Sequence, residues 1–223
     1  MRVPGPVRIG WESVKANAAP MVVLQVAATV LAGVYCLCPA FQDAIDPIAR
    51  IHRRYGWLSA FVSQAFFCGI LPGVFQLAMV SIRPAKPWAT ILAQTIWCGV
   101  FGIGVDELFK MFAACFGNDA SFFTLAQKTA VDQFVWTALV VAPANSVFYF
   151  WVGRDFSLGR VKREWPKRFI RKVYLPNLVA NWCVWTPVCM AVFAFPLPLQ
   201  LYMNGLACTF WTLMCVQLGK RSG

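Results

Sequence analysis

Residues 88–116 read WATILAQTIWCGVFGIGVDELFKMFAACF, and this stretch decides the fold class. Its first 18 residues contain no charged side chain, and the run stays apolar to its end apart from Asp106, Glu107 and Lys110. A helix needs about 20 apolar residues to cross the roughly 30 Å hydrocarbon core of a bilayer. The stretch is therefore predicted to be a membrane-spanning helix that carries its charges towards one end.

The composition of the whole chain leads to the same conclusion. Its 223 residues are 59% hydrophobic and only 13% charged, whereas an ordinary soluble domain has about 25% charged residues. Disorder requires low hydrophobicity, and the 15 Gly and 14 Pro residues follow no collagen-like period. The length suits one domain. We therefore predict an all-α integral membrane bundle that forms a single transmembrane domain over residues 1–223.

Apolar segments of spanning length bring the predicted number of crossings to six. They cover residues 21–41, 57–80, 88–105, 134–152, 178–195 and 199–218. The last two are separated by Pro196 and Pro198. Because a proline pushes the residue before it out of helical space, these two segments are predicted to form a tight hairpin.

The positive charges give an independent test of this count. If all six segments cross, fifteen of the 20 Lys and Arg residues lie on one side, together with both termini. Loops on the inner side of a membrane carry such an excess. We expect a mitochondrial inner membrane or a bacterial cytoplasmic membrane with both termini inside, and residues 1–19 as an interfacial segment anchored by Trp11.

The most basic part of the chain is residues 153–177. Within it, LGRVKREWPKRFIRKVY (158–174) alternates basic with apolar side chains, a pattern typical of a helix lying flat on anionic headgroups. The candidates for contact with anionic phospholipid are Arg160, Lys162, Arg163, Lys167, Arg168, Arg171 and Lys172. The alternative is a loop that only sets orientation. No nucleic-acid-binding module accompanies this charge, so nucleic acid is not expected as a partner.

Polar residues beside the apolar segments are the candidates for transport chemistry, because an ionisable side chain at membrane depth is costly unless it is paired or faces water. They are Asp106, Glu107, Lys110, Lys128, Asp132 and Gln133. Asp106 and Lys110 are four residues apart, as are Lys128 and Asp132, so each pair can meet on one helix face. Such residues can line or gate a polar pathway. The alternative is that they cap helix ends outside the hydrocarbon core.

Glycines within the apolar segments predict close contacts between helices. Gly69 and Gly73 have G-x-x-x-G spacing, and Gly99, Gly102 and Gly104 lie close together in the segment quoted above. Small residues of this kind let helix backbones approach each other in a membrane.

The cysteine and histidine content excludes several kinds of site. The nine cysteines are odd in number and contain no C-x-x-C pair, so neither a disulfide framework nor a zinc site is expected. His52 is the only histidine, which excludes sites that need two imidazoles, and it is expected to be a solvated residue in a basic loop. No nucleophile, base and orienting group can be assembled from the spacing. We predict no enzyme, no cofactor and no bound metal.

Two parts of the chain resemble a known family. The motif Lys128-Thr-Ala-Val-Asp132-Gln133 and the aromatic stretch near the C-terminus resemble the Mpv-seventeen and peroxisomal membrane protein twenty-two family. The other matching positions are Trp11, Pro20, Asn181, Trp182, Trp185, Pro187, Phe193, Pro196 and Trp211. The resemblance covers the C-terminal half and a short N-terminal piece, with Gln200 at the family's usual arginine position.

This resemblance implies a helical bundle in an organellar inner membrane that acts as a channel, a small-solute pore or its regulator. It places Lys110, Lys128, Asp132 and Gln133 among the residues that would line or gate the pathway. A second hypothesis stays open, namely a non-conducting structural or assembly subunit that binds anionic lipid, as a homo-oligomer or within a larger membrane complex.

Overall fold

A computed structural model describes residues 8, 11, 15, 18–78, 83–165, 170 and 174–219, with the backbone alone for 20, 164, 176 and 210–219. Most of these residues are helical and none of them lies in a strand, which confirms the predicted all-α class. The helices are α1 (Ala18–Leu37), α2 (Pro39–Tyr55), α3 (Trp57–Ala78), α4 (Pro87–Phe116), α5 (Phe122–Val152), α6 (Leu158–Glu164), α7 (Leu175–Phe193) and α8 (Leu197–Gly219).

Three helices are long and apolar enough to cross a membrane, namely α3, α4 and α5. The pair α1 and α2 passes the same test only when it is taken together, and it is bent by 103°. α7 contains a shorter apolar stretch, Asn177–Phe193. The described residues therefore hold three or four helices of spanning quality, which is compatible with an integral membrane protein.

The bend between α1 and α2 corrects the first predicted segment, which was expected to run to residue 41. Cys38 has an extended conformation, with φ −120° and ψ 97°, and Pro39 begins α2. Because a proline disfavours helical geometry in the residue before it, α1 ends at Leu37 and the chain turns. The predicted hairpin near the C-terminus is present, since only residues 194–196 separate α7 from α8.

Two of the spanning helices widen into a π-helical segment just before a proline. Ala65–Ile70 precedes Pro72 in α3, and Asp132–Val141 precedes Pro143 in α5. A proline has no amide hydrogen, and its ring clashes with the carbonyl four residues earlier, so wider turns accommodate it. This is how both helices remain continuous across a proline.

The burial pattern of α5 is the reverse of that of a helix in water. Its buried residues up to position 137 are Thr124, Leu125, Lys128, Thr129, Asp132, Gln133 and Thr137. Its exposed residues include Phe122, Phe123, Phe134, Val135 and Leu139. A surface helix of a soluble protein places its apolar stripe inwards, whereas hydrocarbon accepts apolar side chains and leaves the polar ones to the bundle interior.

Glycines set the distance between α3 and α4. A Cβ atom at Gly69 would lie 2.5 Å from the Cα of Thr95, and one at Gly99 would lie 2.6 Å from the ring of Phe61. Gly73 and Gly102 are also closed off by the facing helix, whereas a Cβ at Gly104 meets nothing within 4 Å. Four of the five predicted contact glycines are thus confirmed, and the prediction for Gly104 is wrong.

We expect Gly69→Ala to lower the thermal stability of the purified protein, because the added methyl group meets a helix backbone that cannot move aside alone. Overpacking of this kind costs about 1–3 kcal/mol. The measurement is the temperature at which the monodisperse size-exclusion peak is lost in detergent. The matched control is Gly104→Ala, which has space and gains up to about 1 kcal/mol of helix propensity. Equal transition temperatures for the two variants would contradict the close contact.

Candidate functional site

The structure places the six candidate pathway residues in two groups on the hairpin formed by α4 and α5. The first, which we name the Asp106 cluster, consists of His52, Asp106, Glu107 and Lys110. The second, the α5 inner face, consists of Thr124, Lys128, Thr129, Asp132, Gln133 and Thr137. Among the described residues, no group of three or more His, Cys, Asp and Glu side chains could hold a metal ion.

Asp106 is the centre of its cluster and is only 1% exposed. Its Oδ1 atom lies 3.0 Å from Nε2 of His52 on α2, and its Oδ2 atom lies 2.8 Å from Nζ of Lys110 one helical turn away. Lys110 also donates to Oε1 of Glu107 at 2.7 Å. The predicted pairing of Asp106 with Lys110 is confirmed, and the carboxylate additionally connects α2 to α4.

The expectation that His52 is a solvated loop residue is wrong, because it lies in the last turn of α2 and is 5% exposed. The charged face of α2 points away, with Asp46 paired to Arg50 at 2.6 Å and to Arg53 at 3.2 Å. Ala49 is buried one turn before His52. In the sequence, the charged residues of α2 recur with the helical period, and this indicates a buried face opposite to them. The carboxylate that pairs with His52 could not be identified in this way, because Asp106 is distant in the sequence.

The Asp106 cluster extends towards α3 and α8 through an aromatic contact. The His52 ring packs edge-on against the ring of Tyr202, with centroids 5.9 Å apart. The Tyr202 hydroxyl is hydrogen-bonded to Oγ of Ser59, which is buried at the start of α3. Nδ1 of His52 is buried and has no hydrogen-bond partner among the described residues. Four helices therefore meet around this histidine.

Asp132 and Gln133 bind α5 to α7. Nε2 of Gln133 donates to Oδ2 of Asp132 at 2.6 Å, and the Cys189 thiol donates to the same oxygen at 3.4 Å. Nδ2 of Asn181 donates to Oε1 of Gln133 at 3.3 Å, and Nε1 of Trp182 donates to the Gln133 carbonyl oxygen at 2.9 Å. Asn181 and Trp182, in the aromatic stretch near the C-terminus, thus both contact Gln133.

Lys128 is 1% exposed, yet no hydrogen bond or ion pair joins its ammonium group to another described residue. Its predicted pairing with Asp132 is wrong. A helical acid placed four residues before a lysine pairs better than the reverse order. Asp106 and Lys110 have the favourable order, whereas Lys128 precedes Asp132. Since helical side chains lean towards the N-terminus, Lys128 extends away from the Asp132 carboxylate.

The loop between α4 and α5 holds an acid close to the end of the α5 inner face. Asp119 accepts hydrogen bonds from the Ser121 amide at 2.8 Å and from the Thr124 hydroxyl at 3.0 Å. Hydrogen bonds from Ser121, and then from Thr124, lower the pKa of Asp119 to about 2. Asp119 is therefore ionised at neutral pH, and its charge acts on Lys128.

Both groups lie at a similar depth. Asp106 is ten residues from the end of α4, and Asp132 is ten residues from the start of α5. At 1.5 Å per residue, each lies about 15 Å from the connecting loop. α4 has 30 residues and spans about 45 Å, so a centred hydrocarbon core of roughly 30 Å contains both positions.

The remaining predicted residues are distributed as follows. Arg160, Lys162 and Arg163 lie in α6, where Arg160 pairs with Asp155 at 2.7 Å. Lys167, Arg168, Arg171 and Lys172 lie outside the described residues, as do the side chains of Pro20 and Trp211.

Trp11 is exposed, whereas Trp185 and Phe193 are buried in the core. Pro187 lies inside α7, and Pro196 immediately precedes α8.

We expect Asp106→Asn to lower the free energy of unfolding by about 2–3 kcal/mol, because it leaves Lys110 and His52 without the buried carboxylate. The measurement is equilibrium unfolding in mixed dodecyl maltoside and dodecyl sulfate micelles. The matched control is Asp46→Asn, which removes an exposed ion pair and should cost less than about 1 kcal/mol. Equal losses in the two variants would show that the cluster does not hold α2 in place.

Comparison of the chain with family models, with curated proteins and with solved structures finds no match. The resemblance to the Mpv-seventeen and peroxisomal membrane protein twenty-two family therefore depends on the quoted motif residues. Their contacts, from Asn181 and Trp182 to Gln133, are a property of this chain's own geometry.

Proposed function

We propose that this chain is an integral membrane protein of the Mpv-seventeen type whose α5 inner face lines a pathway for a small polar solute. One observation carries the proposal, namely that six of the seven residues buried along α5 up to position 137 are polar. Polar side chains at this depth are costly and are retained mainly where they pair with one another or face a solute or water.

Polar groups without a hydrogen-bond partner distinguish a pathway from a set of residues that only holds helices together. Residues that only hold helices together satisfy each other, as Asp132 and Gln133 do. Lys128 has no partner among the described residues, and Oγ1 of Thr129 is buried without one. A buried polar group without a partner requires an explanation, and contact with water or solute supplies it.

The Asp106 cluster is proposed to control access to this pathway. It links α2, which follows the 103° bend, to the core helix α4 through His52. Lys110 is 40% exposed and contacts both Asp106 and Glu107, so it stands where the buried cluster meets the exterior. Rearrangement of this ion network would move α2 relative to the bundle.

The proposed topology keeps six crossings with both termini on the inner side of a mitochondrial inner or bacterial cytoplasmic membrane. The crossing helices would be α1, α3, α4, α5, α7 and α8. α2 would then lie at the outer surface, because its exposed face carries Asp46, Arg50 and Arg53. α6 would lie at the inner surface, where Lys162 and Arg163 can contact anionic phospholipid.

A second candidate function is a non-conducting assembly or structural subunit, and one observation favours it. A cavity of 220 Å³ between α1, α7 and α8 is lined by apolar side chains. They are Leu24, Ala27, Ala28, Leu31, Ala191, Val192, Phe195, Met203, Leu206 and Ala207. Such a surface suits an acyl chain or an apolar helix rather than a polar solute.

Release of entrapped mannitol from proteoliposomes tests the pathway. We expect Thr129→Leu to reduce release about tenfold or more, because it replaces an unpaired hydroxyl on the inner face with an apolar group. The matched control is Thr29→Leu, at an exposed position of α1, which should leave release unchanged.

Folding of each variant is checked by size-exclusion chromatography before reconstitution. Release that is equal in Thr129→Leu and wild type would remove the α5 inner face from the pathway. A folded wild-type protein that releases no mannitol would favour the assembly subunit instead.

A further inference from the structure

The polar atoms of α5 that lack a partner share one chemical property. Among the described residues, the buried ones are Oγ1 of Thr129, Nε1 of Trp136 and Nε1 of Trp151. An indole nitrogen can only donate a hydrogen bond, and a hydroxyl can donate as well as accept. The Lys128 ammonium adds up to three more donors. Each of these groups can therefore donate a hydrogen bond, so a ligand that supplies acceptors would suit all of them.

The acids near Lys128 already have other partners. Residues 87–152 contain four of them, namely Asp106, Glu107, Asp119 and Asp132. Asp106 and Glu107 hold Lys110, and Asp132 accepts from Gln133 and Cys189. Asp119 accepts from Ser121 and Thr124 and is exposed, so solvent screens its effect on Lys128. None of these carboxylates forms an ion pair with the Lys128 ammonium group.

A lysine whose side chain is buried and forms no ion pair is costly, unless its ammonium group meets water or an anion. The position of Lys128 would allow an anion to offset this cost. It lies six residues into α5, about 9 Å from the connecting loop, and its side chain leans towards that loop. An anion that enters from the loop side would therefore meet the ammonium group first and then the Thr129 hydroxyl, which is buried at the next position of α5.

We propose that Lys128, with the Thr129 hydroxyl, forms a binding site for a small oxyanionic solute, a carboxylate or a phosphate. The inference rests on the proposed function and specifies its substrate class. Trp136 lies seven residues beyond Thr129, about two helical turns farther along α5, and places another donor on the route. The phosphate group of a lipid has the same chemistry, so the test separates a free solute from a headgroup.

The first test is the thermal shift of the protein in dodecyl maltoside on addition of inorganic phosphate, against chloride at equal ionic strength. We expect a saturable rise in the transition temperature of wild type and of Lys128→Arg. Lys128→Met should bind phosphate about tenfold or more weakly, because a charge-assisted hydrogen bond is lost. The matched control is Lys86→Met, at the exposed residue immediately before α4, which should keep the response.

Lys128→Met is expected to fold, because it removes a buried charge without leaving another charge unpaired. Its size-exclusion profile checks this. An equal phosphate shift in Lys128→Met and wild type, or no shift in wild type, would overturn the site. If it fails to fold, Lys128→Gln serves in its place, with the same expected loss of phosphate binding.

Nanodiscs separate the two sources of phosphate. A phosphate shift that persists in both phosphatidylcholine and phosphatidylglycerol nanodiscs supports a free solute, whereas its loss in phosphatidylglycerol alone would assign the site to a headgroup. Mannitol release without any phosphate response would leave the pathway standing and overturn the anion site. Phosphate binding without mannitol release would support the anion site, and the absence of phosphate efflux from the same proteoliposomes would then overturn the pathway.

Discussion

The carboxylate of Asp106 is the point on which the arrangement of helices depends. It is buried, and it accepts from an imidazole on α2 while it pairs with an ammonium group on its own helix. A buried charge is costly unless such partners surround it, so the position of α2 against α4 follows from satisfying this one group. The Tyr202 ring and its hydrogen bond to Ser59 then place α3 and α8 around the same histidine. Four helices are thus oriented by one acid.

A second constraint is that the exterior of the bundle must be apolar. On α5 this forces threonines, a lysine, an aspartate and a glutamine onto the inner face, while aromatic residues face outwards. Prolines within α3 and α5 are accommodated by π-helical turns rather than by breaks. Asp132 is the first residue of the π-helical segment of α5. The hydrogen bonds of Asp132 and Gln133 with α7 therefore lie where the helix is already irregular. π-helical segments are frequent at functional sites.

The all-helical class, the apolar helices, the hairpin between α7 and α8 and the Asp106–Lys110 pair could all be predicted, because each depends on composition or on spacing within one helix. The burial of His52 could not be predicted in the same way, since its partner lies in another helix and only the charge period of α2 hints at an inner face. The pair of Lys128 with Asp132 failed because the order of acid and base along a helix matters as well as their spacing. Close helix contacts at the glycines could be predicted as a group. Gly104 shows that the sequence alone does not tell whether a given glycine faces a neighbouring helix.

The bend at Cys38 and Pro39 affects how the protein would enter a bilayer in the proposed orientation. The segment between α1 and α3 would have to be moved through the hydrocarbon during biogenesis. It contains three arginines, Arg50, Arg53 and Arg54, but also Asp43 and Asp46. Asp46 bonds to two of the arginines within α2 itself, and this reduces the net charge that the translocation machinery would have to carry across. The short amphipathic helix thus brings its own counter-ions with it.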